Sequence, residues 1–200
     1  MTIKSRRWNS LAELYRLAVQ ASIRRPASPH HVVLYRLHAL LVALASSLEV
    51  FAAHEIRFKN LCSRTITPKW KGNGAVSPGV CPALKTGGTH TASVAEKWVA
   101  GRAWGHDGSC SAYDGAACTL FECTFSDVGF NQCSISRASG YNVPMAFSWV
   151  NSPSGCQAGK KCSSSTCPNT QAWLPPNSCN GCPSQCNNAS VGMWVTFCPT

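Results

Sequence analysis

Thirteen cysteines, all between Cys62 and Cys198, constrain the fold of this 200-residue chain more than any other feature. Disulfide bonds persist in oxidising compartments, so this density predicts a secreted protein that is stapled by disulfides. Residues 179–186 hold three cysteines at spacings that zinc ligands also use. The other cysteines are scattered singly and no histidine follows His106, so we predict disulfides and no metal site. The odd count leaves one cysteine that is free, pairs between chains or carries a modification.

Residues 1–52 predict an N-terminal extension followed by a secretory signal. Residues 37–48 form an apolar run of signal-peptide length that is short for a membrane span. Small or modest side chains then precede Ala53 and suit cleavage there. The basic segment over residues 1–31 is long for a signal peptide, so it is either a long n-region or an error of the gene prediction; a retained signal anchor is a third alternative. We expect a mature domain over residues 53–200 that is extracellular or wall-associated, without a membrane span.

The charge of the chain argues against a nucleic-acid partner. The formal net charge is +10, but seven of the 18 Lys and Arg residues lie before residue 53. Eleven basic and six acidic residues remain from there onward, and no basic run is longer than Lys160-Lys161. A moderate positive charge attracts anionic polymers or membranes, and it equally serves solubility alone. No glycine-rich phosphate loop precedes a helical pattern, so no cofactor is predicted, and we expect a monomer.

The alternation of apolar and polar residues in the mature domain predicts an all-β fold. Phe121, Cys123 and Phe125 share one face of a predicted strand, and Glu122 lies on the other face. Residues 143–149 alternate again after a turn, and similar short patterns occur near the start and the end of the domain. No helical pattern of ten residues is evident. Several short strands that are separated by turns predict a sandwich.

Residues 151–188 differ in character from the rest of the domain. They hold six of the thirteen cysteines and many Ser, Pro, Asn and Gly, with only Trp173 and Leu174 as large apolar side chains. Such a segment cannot bury a core by itself and needs disulfides. We predict a small, loop-rich lobe before the final strand. Asn188-Ala189-Ser190 is an N-glycosylation sequon, with Asn188 as the acceptor.

Five motifs, taken in order, resemble blocks of the thaumatin-like protein family. They are EIRFKNLCSRTITP at 55–68, GRAWGHDGSC at 101–110, TLFE at 119–122, GYNVPM at 140–145 and VTFCPT at 195–200. Each motif is weak alone, but together they span essentially all of residues 53–200. The compressed final third is similar to small basidiomycete-type secreted members. The resemblance implies a flattened β-sandwich, a disulfide-rich second lobe and a cleft between the lobes.

The resemblance also implies part of the disulfide pattern. It pairs Cys62 with Cys198, which ties the first strand to the last, and it suggests Cys110 with Cys118 and Cys167 with Cys182. Cys123 and Cys133 have no counterpart in the family pattern, and a pairing across two adjacent strands of a hairpin would satisfy them.

The cleft that the resemblance implies has lost most of its charged residues. Family members that act on β-glucans carry one Arg, one Glu and three Asp there, and Glu122 matches the Glu. The next two Asp positions are occupied by Asn131 and Ser134, and the regions that supply the Arg and the last Asp are deleted here. Glycoside hydrolysis needs two carboxyl groups. The sequence therefore favours a protein that is not a glycosidase.

Several residues near this cleft are candidates for contacts with carbohydrate. Asn131 and Ser134 can hydrogen-bond sugar hydroxyls, as can the carboxylate of Glu122. Trp104 or Tyr141 can stack on a pyranose ring, although ordinary strand packing is the alternative for both. Glu122 is equally well explained as an outward-facing strand residue.

Three hypotheses on function follow. The first is a secreted thaumatin-like protein that binds cell-wall β-glucan or acts in defence against fungi, without catalysis. The second is a weak endo-β-1,3-glucanase that uses Glu122 with an acid from the loop that carries Asp107 and Asp114. Asp127 is not the expected partner acid, because it should lie on the opposite face from Glu122. The third is a structural or interaction protein of the wall, for which the odd cysteine offers a cross-link.

Overall fold

The computed structural model describes residues 54–126, 129–179 and 181–200. In these ranges the regular secondary structure consists of twelve β-strands without a helix, so the predicted all-β class is confirmed. No helix in the described part of the chain is long and apolar enough to cross a membrane. The predicted signal over residues 1–52 and the side chain of Asp127 lie outside the described residues.

The strands form two mixed sheets. The five-stranded sheet contains β1 (His54–Asn60), β4 (Thr89–Val94), β8 (Met145–Trp149), β9 (Lys160–Cys162) and β12 (Met193–Phe197), in the order β4-β1-β12-β8-β9. The seven-stranded sheet contains β2 (Thr67–Lys71), β3 (Gly79–Val80), β5 (Gly101–His106), β6 (Leu120–Thr124), β7 (Asn131–Ser136), β10 (Ala172–Trp173) and β11 (Ser184–Cys186). Its order is β10-β7-β6-β5-β2-β3, and β11 also pairs with β7.

The first and last strands of the domain lie side by side. β1 and β12 pair in parallel, with Phe58 opposite Val195. The disulfide between Cys62 and Cys198 joins the chain just beyond both strands. It closes a loop of 136 residues, which stabilises the fold by roughly 4–5 kcal/mol in the chain-entropy model.

The core is built from the inward-facing residues of both sheets. Phe121, Cys123 and Phe125 are buried together, as their alternation predicted. Phe121 contacts Phe147 of the other sheet, with ring centroids 5.4 Å apart. Leu120 is an exception to the predicted alternation, because it is buried on the outer face of its sheet beside Trp104 and the Cys110–Cys118 disulfide.

Six disulfide bonds are present in the described residues, which fits a protein of an oxidising compartment. The bonds Cys62–Cys198, Cys110–Cys118 and Cys123–Cys133 match the predicted pairs; the last joins directly opposed residues of β6 and β7. The others are Cys156–Cys186, Cys162–Cys167 and Cys179–Cys182.

The predicted pair of Cys167 with Cys182 is wrong. A turn in which the N–H of Cys167 donates to the carbonyl of Ser164 folds the chain back onto Cys162. This turn leaves 5.4 Å between the two Cα atoms, a separation that suits a disulfide. Cys182 bonds Cys179, three residues earlier. Local turns therefore decide these two pairings, whereas Cys156 bonds Cys186, 30 residues later.

The odd cysteine is Cys81, which is free and only 3% exposed. Burial raises the pKa of its thiol to about 12. The thiolate is the reactive form of cysteine, so this thiol does not fit the cross-linking role that the third hypothesis gave it.

Candidate functional site

The sheet register places Glu122 in a row of polar residues on the outer face of the seven-stranded sheet. Arg102 of β5 and Ser134 of β7 lie directly opposite Glu122 on its two sides. Lys71 of β2 lies opposite Arg102 and extends the row. All four side chains are half-buried. Side chains alternate across a strand, so this row faces away from the core that Phe121 enters.

Glu122 and Ser134 border a shallow depression of about 300 Å³, the Glu122 depression. Its other lining residues are Ala100, Gly101, Cys123, Thr124, Gln132, Cys133 and Pro183. The polar groups are one carboxylate, two hydroxyls and one amide, and Glu122 carries the only ionisable side chain among these described residues. Thr124 and Gln132 were not predicted as site residues. Thr124 lies on the same face of β6 as Glu122 by alternation alone, whereas only the pairing of β6 with β7 brings Gln132 beside them.

Asp107 belongs to a separate hydrogen-bonded cluster. Its carboxylate pairs with Arg64 at 2.7 Å, accepts hydrogen bonds from Ser109 and Asn142, and is 5% exposed. Burial by itself would raise the pKa of Asp107, but the bonds from Ser109 and Asn142 and the charge of Arg64 together lower it. A general acid of a glycosidase needs a raised pKa. Asp107 therefore suits a role in holding its loop, not proton donation.

Asp114 is half-buried in the same loop. Hydrogen bonds from Ser111 and from the backbone of Ala116 lower its pKa, and the charge of Arg102 adds to this effect. Neither Asp114 nor Asp107 lines the Glu122 depression. The described part of the chain thus provides no second carboxyl group in the depression.

Asn131 is not available to a ligand, which corrects its assignment as a cleft residue. Its side chain is fully buried. Its Oδ1 accepts a hydrogen bond from the N–H of Ser126 at 2.9 Å. Its Nδ2 donates to the carbonyl oxygens of Asn188 at 2.8 Å and of Cys186 at 3.3 Å. The amide therefore binds the end of the disulfide-rich lobe to β7.

The two aromatic candidates also lie away from the depression. Trp104 is fully buried against Leu120 and the disulfide of Cys110 and Cys118, so its assignment to sugar stacking is wrong. Tyr141 packs against the main core, and its hydroxyl is buried without a hydrogen-bond partner in the described structure. Burial raises the pKa of that hydroxyl. Among the proposed cleft residues, the structure brings together only Glu122 and Ser134.

A basic, partly apolar surface adjoins the depression at the β2–β3 end of the same sheet. We define this basic edge by Lys69, Lys71, Arg102, Val76, Val80 and Tyr113. The ammonium of Lys71 lies 4.0 Å from the ring centroid of Tyr113, whose hydroxyl donates to the carbonyl of Val76. The side chains of Val76, Val80 and Tyr113 are all more than half exposed. This surface was missed because its members come from three strands and two loops.

No group of three or more His, Cys, Asp or Glu within the described residues is arranged to hold a metal ion. The cysteines of residues 179–186, whose spacing also suited zinc, are all disulfide-bonded in the structure.

Comparison with solved structures identifies similar folds. A thaumatin-like xylanase inhibitor, TLXI, matches with a TM-score of 0.54 and 20% sequence identity, covering 72% of this chain and 99% of the inhibitor. The protein elicitor MoHrip2 from Magnaporthe oryzae matches with the same TM-score and 14% identity, covering 74% of this chain and all of the elicitor. No protein-family model and no curated protein sequence matches. At these identities the similarity concerns the fold.

Proposed function

Because the chain has the thaumatin-like fold, we propose that it is a secreted, non-catalytic protein that binds cell-wall β-1,3-glucan through the Glu122 depression. The chemistry of the lining is the observation that carries this proposal. Glu122 stands there as the single carboxylate beside amide and hydroxyl groups. Such groups exchange hydrogen bonds with sugar hydroxyls, whereas hydrolysis by two carboxyl groups has no second partner in this lining.

Retention on insoluble β-1,3-glucan tests this proposal. The protein secreted from expression of the full chain would be incubated with the polysaccharide at low salt, with serum albumin as the negative control. We expect retention above albumin. The double variant Gln132→Ala/Ser134→Ala should reduce retention about tenfold, because it removes two hydrogen-bonding groups from the depression.

Ser148→Ala is a matched control, because Ser148 is an outward-facing, exposed serine on β8 of the other sheet. It should be retained like the unchanged protein. Retention no greater than that of albumin would overturn the binding proposal. Equal retention of the double variant and the unchanged protein would place binding elsewhere on the surface.

A second candidate function is binding to a carbohydrate-active enzyme, which the basic edge favours. Glycosidases carry paired carboxyl groups in their active clefts, and three basic side chains on one surface are complementary to such a cleft. Tyrosine and arginine are also enriched in the well-packed centres of protein interfaces. The similarity in fold to a xylanase inhibitor supports the same partner class for this chain.

Inhibition assays distinguish this candidate from glucan binding. The secreted protein would be titrated into a xylanase and, separately, a β-1,3-glucanase. If the basic edge is the interface, Lys71→Ala/Arg102→Ala should weaken inhibition at least about tenfold. Lys85→Ala, which removes an exposed lysine elsewhere on the surface, should leave inhibition unchanged. Absence of inhibition of both enzymes would rule this candidate out for these two activities.

A further inference from the structure

A second depression lies on the disulfide-rich lobe, and Glu122 is not part of its lining. It has a volume of about 640 Å³. Polar side chains dominate its lining, among them Arg137, Ser165, Thr166, Asn169, Asn177 and Ser178. We call it the Arg137 pocket. Its volume lies in the range of small-molecule sites.

Arg137 is a buried charged residue in this lining. It follows β7 directly and is only 6% exposed. The guanidinium donates to the carbonyl oxygens of Ser165 and Ala172 and to Oδ1 of Asn169. Its Nε is buried and has no acceptor in the described structure.

All the acceptors that Arg137 uses are neutral oxygens. The two ion pairs of the described residues involve Arg57 and Arg64. The sequence contains no Asp or Glu after Asp127, whereas Lys160 and Lys161 add positive charge to the same lobe. A charge taken out of water without a counter-ion is unfavourable. The buried guanidinium is thus left without an acidic side chain from its own lobe.

We propose that the Arg137 pocket binds a sugar carboxylate, namely a uronic acid residue of an acidic polysaccharide. The guanidinium offers the carboxylate a charge-assisted hydrogen bond. Hydroxyl and amide groups around the pocket suit the hydroxyls of the same sugar ring. The single buried cation matches a singly charged group better than a phosphate. This site does not depend on glucan binding at the Glu122 depression, because β-1,3-glucan is neutral.

Binding of trigalacturonate to the secreted protein tests the proposal by calorimetry and by thermal shift. We expect binding and a rise in the unfolding temperature, since a ligand that binds only the folded state stabilises it. The methyl ester of the same trisaccharide lacks the charge and should bind about tenfold more weakly or worse. Inorganic phosphate should not compete at equal concentration.

Two variants are compared, so that a loss of binding can be separated from a loss of stability. Arg137→Gln should abolish binding, but it also removes hydrogen bonds that hold the lobe and lowers stability. Asn177→Ala/Ser178→Ala alters only rim side chains, so it should weaken trigalacturonate binding about fivefold to tenfold with an unchanged unfolding temperature in the absence of ligand. Ser148→Ala on the other sheet is the control and should bind normally.

Three outcomes would overturn the proposal. The first is that trigalacturonate does not bind the unchanged protein. The second is that its methyl ester or inorganic phosphate binds as tightly, which would mean that the carboxylate or the sugar is not recognised. The third is full binding by Asn177→Ala/Ser178→Ala, which would place the uronate outside the Arg137 pocket. Arg137 would then be only a structural link between the lobe and β7.

Discussion

Replacing Asn131 or Ser134 by Asp should have very different effects on stability, although both residues lie on β7, three positions apart. The Nδ2 group of Asn131 donates to two carbonyl oxygens, and an ionised Asp has no donor to replace it. Each buried acceptor that loses its partner costs about 1–3 kcal/mol. Asn131→Asp should therefore lower the free energy of unfolding by roughly 2–6 kcal/mol at neutral pH.

Ser134→Asp places the new carboxylate on the half-buried outer face, opposite Glu122. Water reaches this position, so the main penalty is repulsion between like charges on opposed strands. That penalty is about 1 kcal/mol or less. The protein with this substitution should fold and be secreted normally.

Guanidinium unfolding with intact disulfides, followed by tryptophan fluorescence, measures both effects as shifts of the midpoint at constant slope. Asn73→Asp, at an exposed position, controls for the added negative charge alone. A midpoint shift in Asn131→Asp that is no larger than in Asn73→Asp, or smaller than in Ser134→Asp, would refute the stabilising role of the buried amide. Below the range in which aspartate ionises, the loss in Asn131→Asp should shrink, because a protonated carboxyl group can donate one hydrogen bond.

Three further predictions concern single side chains. The pKa of Asp107 is lowered in the folded protein, so its contribution to stability is complete above the ordinary aspartate pKa of about 3.9 and is lost as the pH falls through the lower folded value. Asp107→Asn should therefore make the unfolding midpoint depend less on pH in this acidic range. An unchanged pH dependence of the midpoint there would contradict this. Laminarin incubated with the unchanged protein or with Glu122→Gln should release no reducing sugar above a blank, and release that Glu122→Gln abolishes would refute the non-catalytic proposal. Cys81 should resist iodoacetamide at pH 8 in the folded protein and react once per chain after unfolding, because burial raises its pKa to about 12; labelling of the native protein, detected by mass spectrometry, would show that the thiol is accessible.

The strands could be predicted because their evidence is local. Alternation predicted that Phe121 and Glu122 lie on opposite faces of β6, and the structure confirms this, with Phe121 in the core. The disulfide between Cys123 and Cys133 follows from the same pairing, since a short hairpin leaves few registers. Agreement between pattern, turn and pairing is what makes such elements predictable.

The state of individual side chains could not be predicted in this way, because it depends on distant segments. Asn131 is buried by the chain around Cys186 and Asn188, more than fifty residues later. Trp104 is covered by a loop that the Cys110–Cys118 disulfide shapes. The sequence gives the chemical type of each residue, but not which segment packs over it. Arg137 shows the same limit, since its oxygen partners all come from the loop-rich lobe.

The register of β6 with β7 shows which of two positions, 131 or 134, could have placed an aspartate beside Glu122. Side chains alternate along a strand, so residues three apart cannot share a face, and Asn131 points to the opposite side of β7 from Ser134. Of these two residues, only Ser134 lies opposite Glu122. Opposed Cβ atoms are about 4.5–5.5 Å apart, which is close to the carboxyl separation of about 5–5.5 Å in retaining glycosidases. Of the two positions on β7, an acid at 134 would therefore have stood against Glu122, and serine there removes that carboxyl group. An acid at position 131 would have been buried and of no use to such a pair.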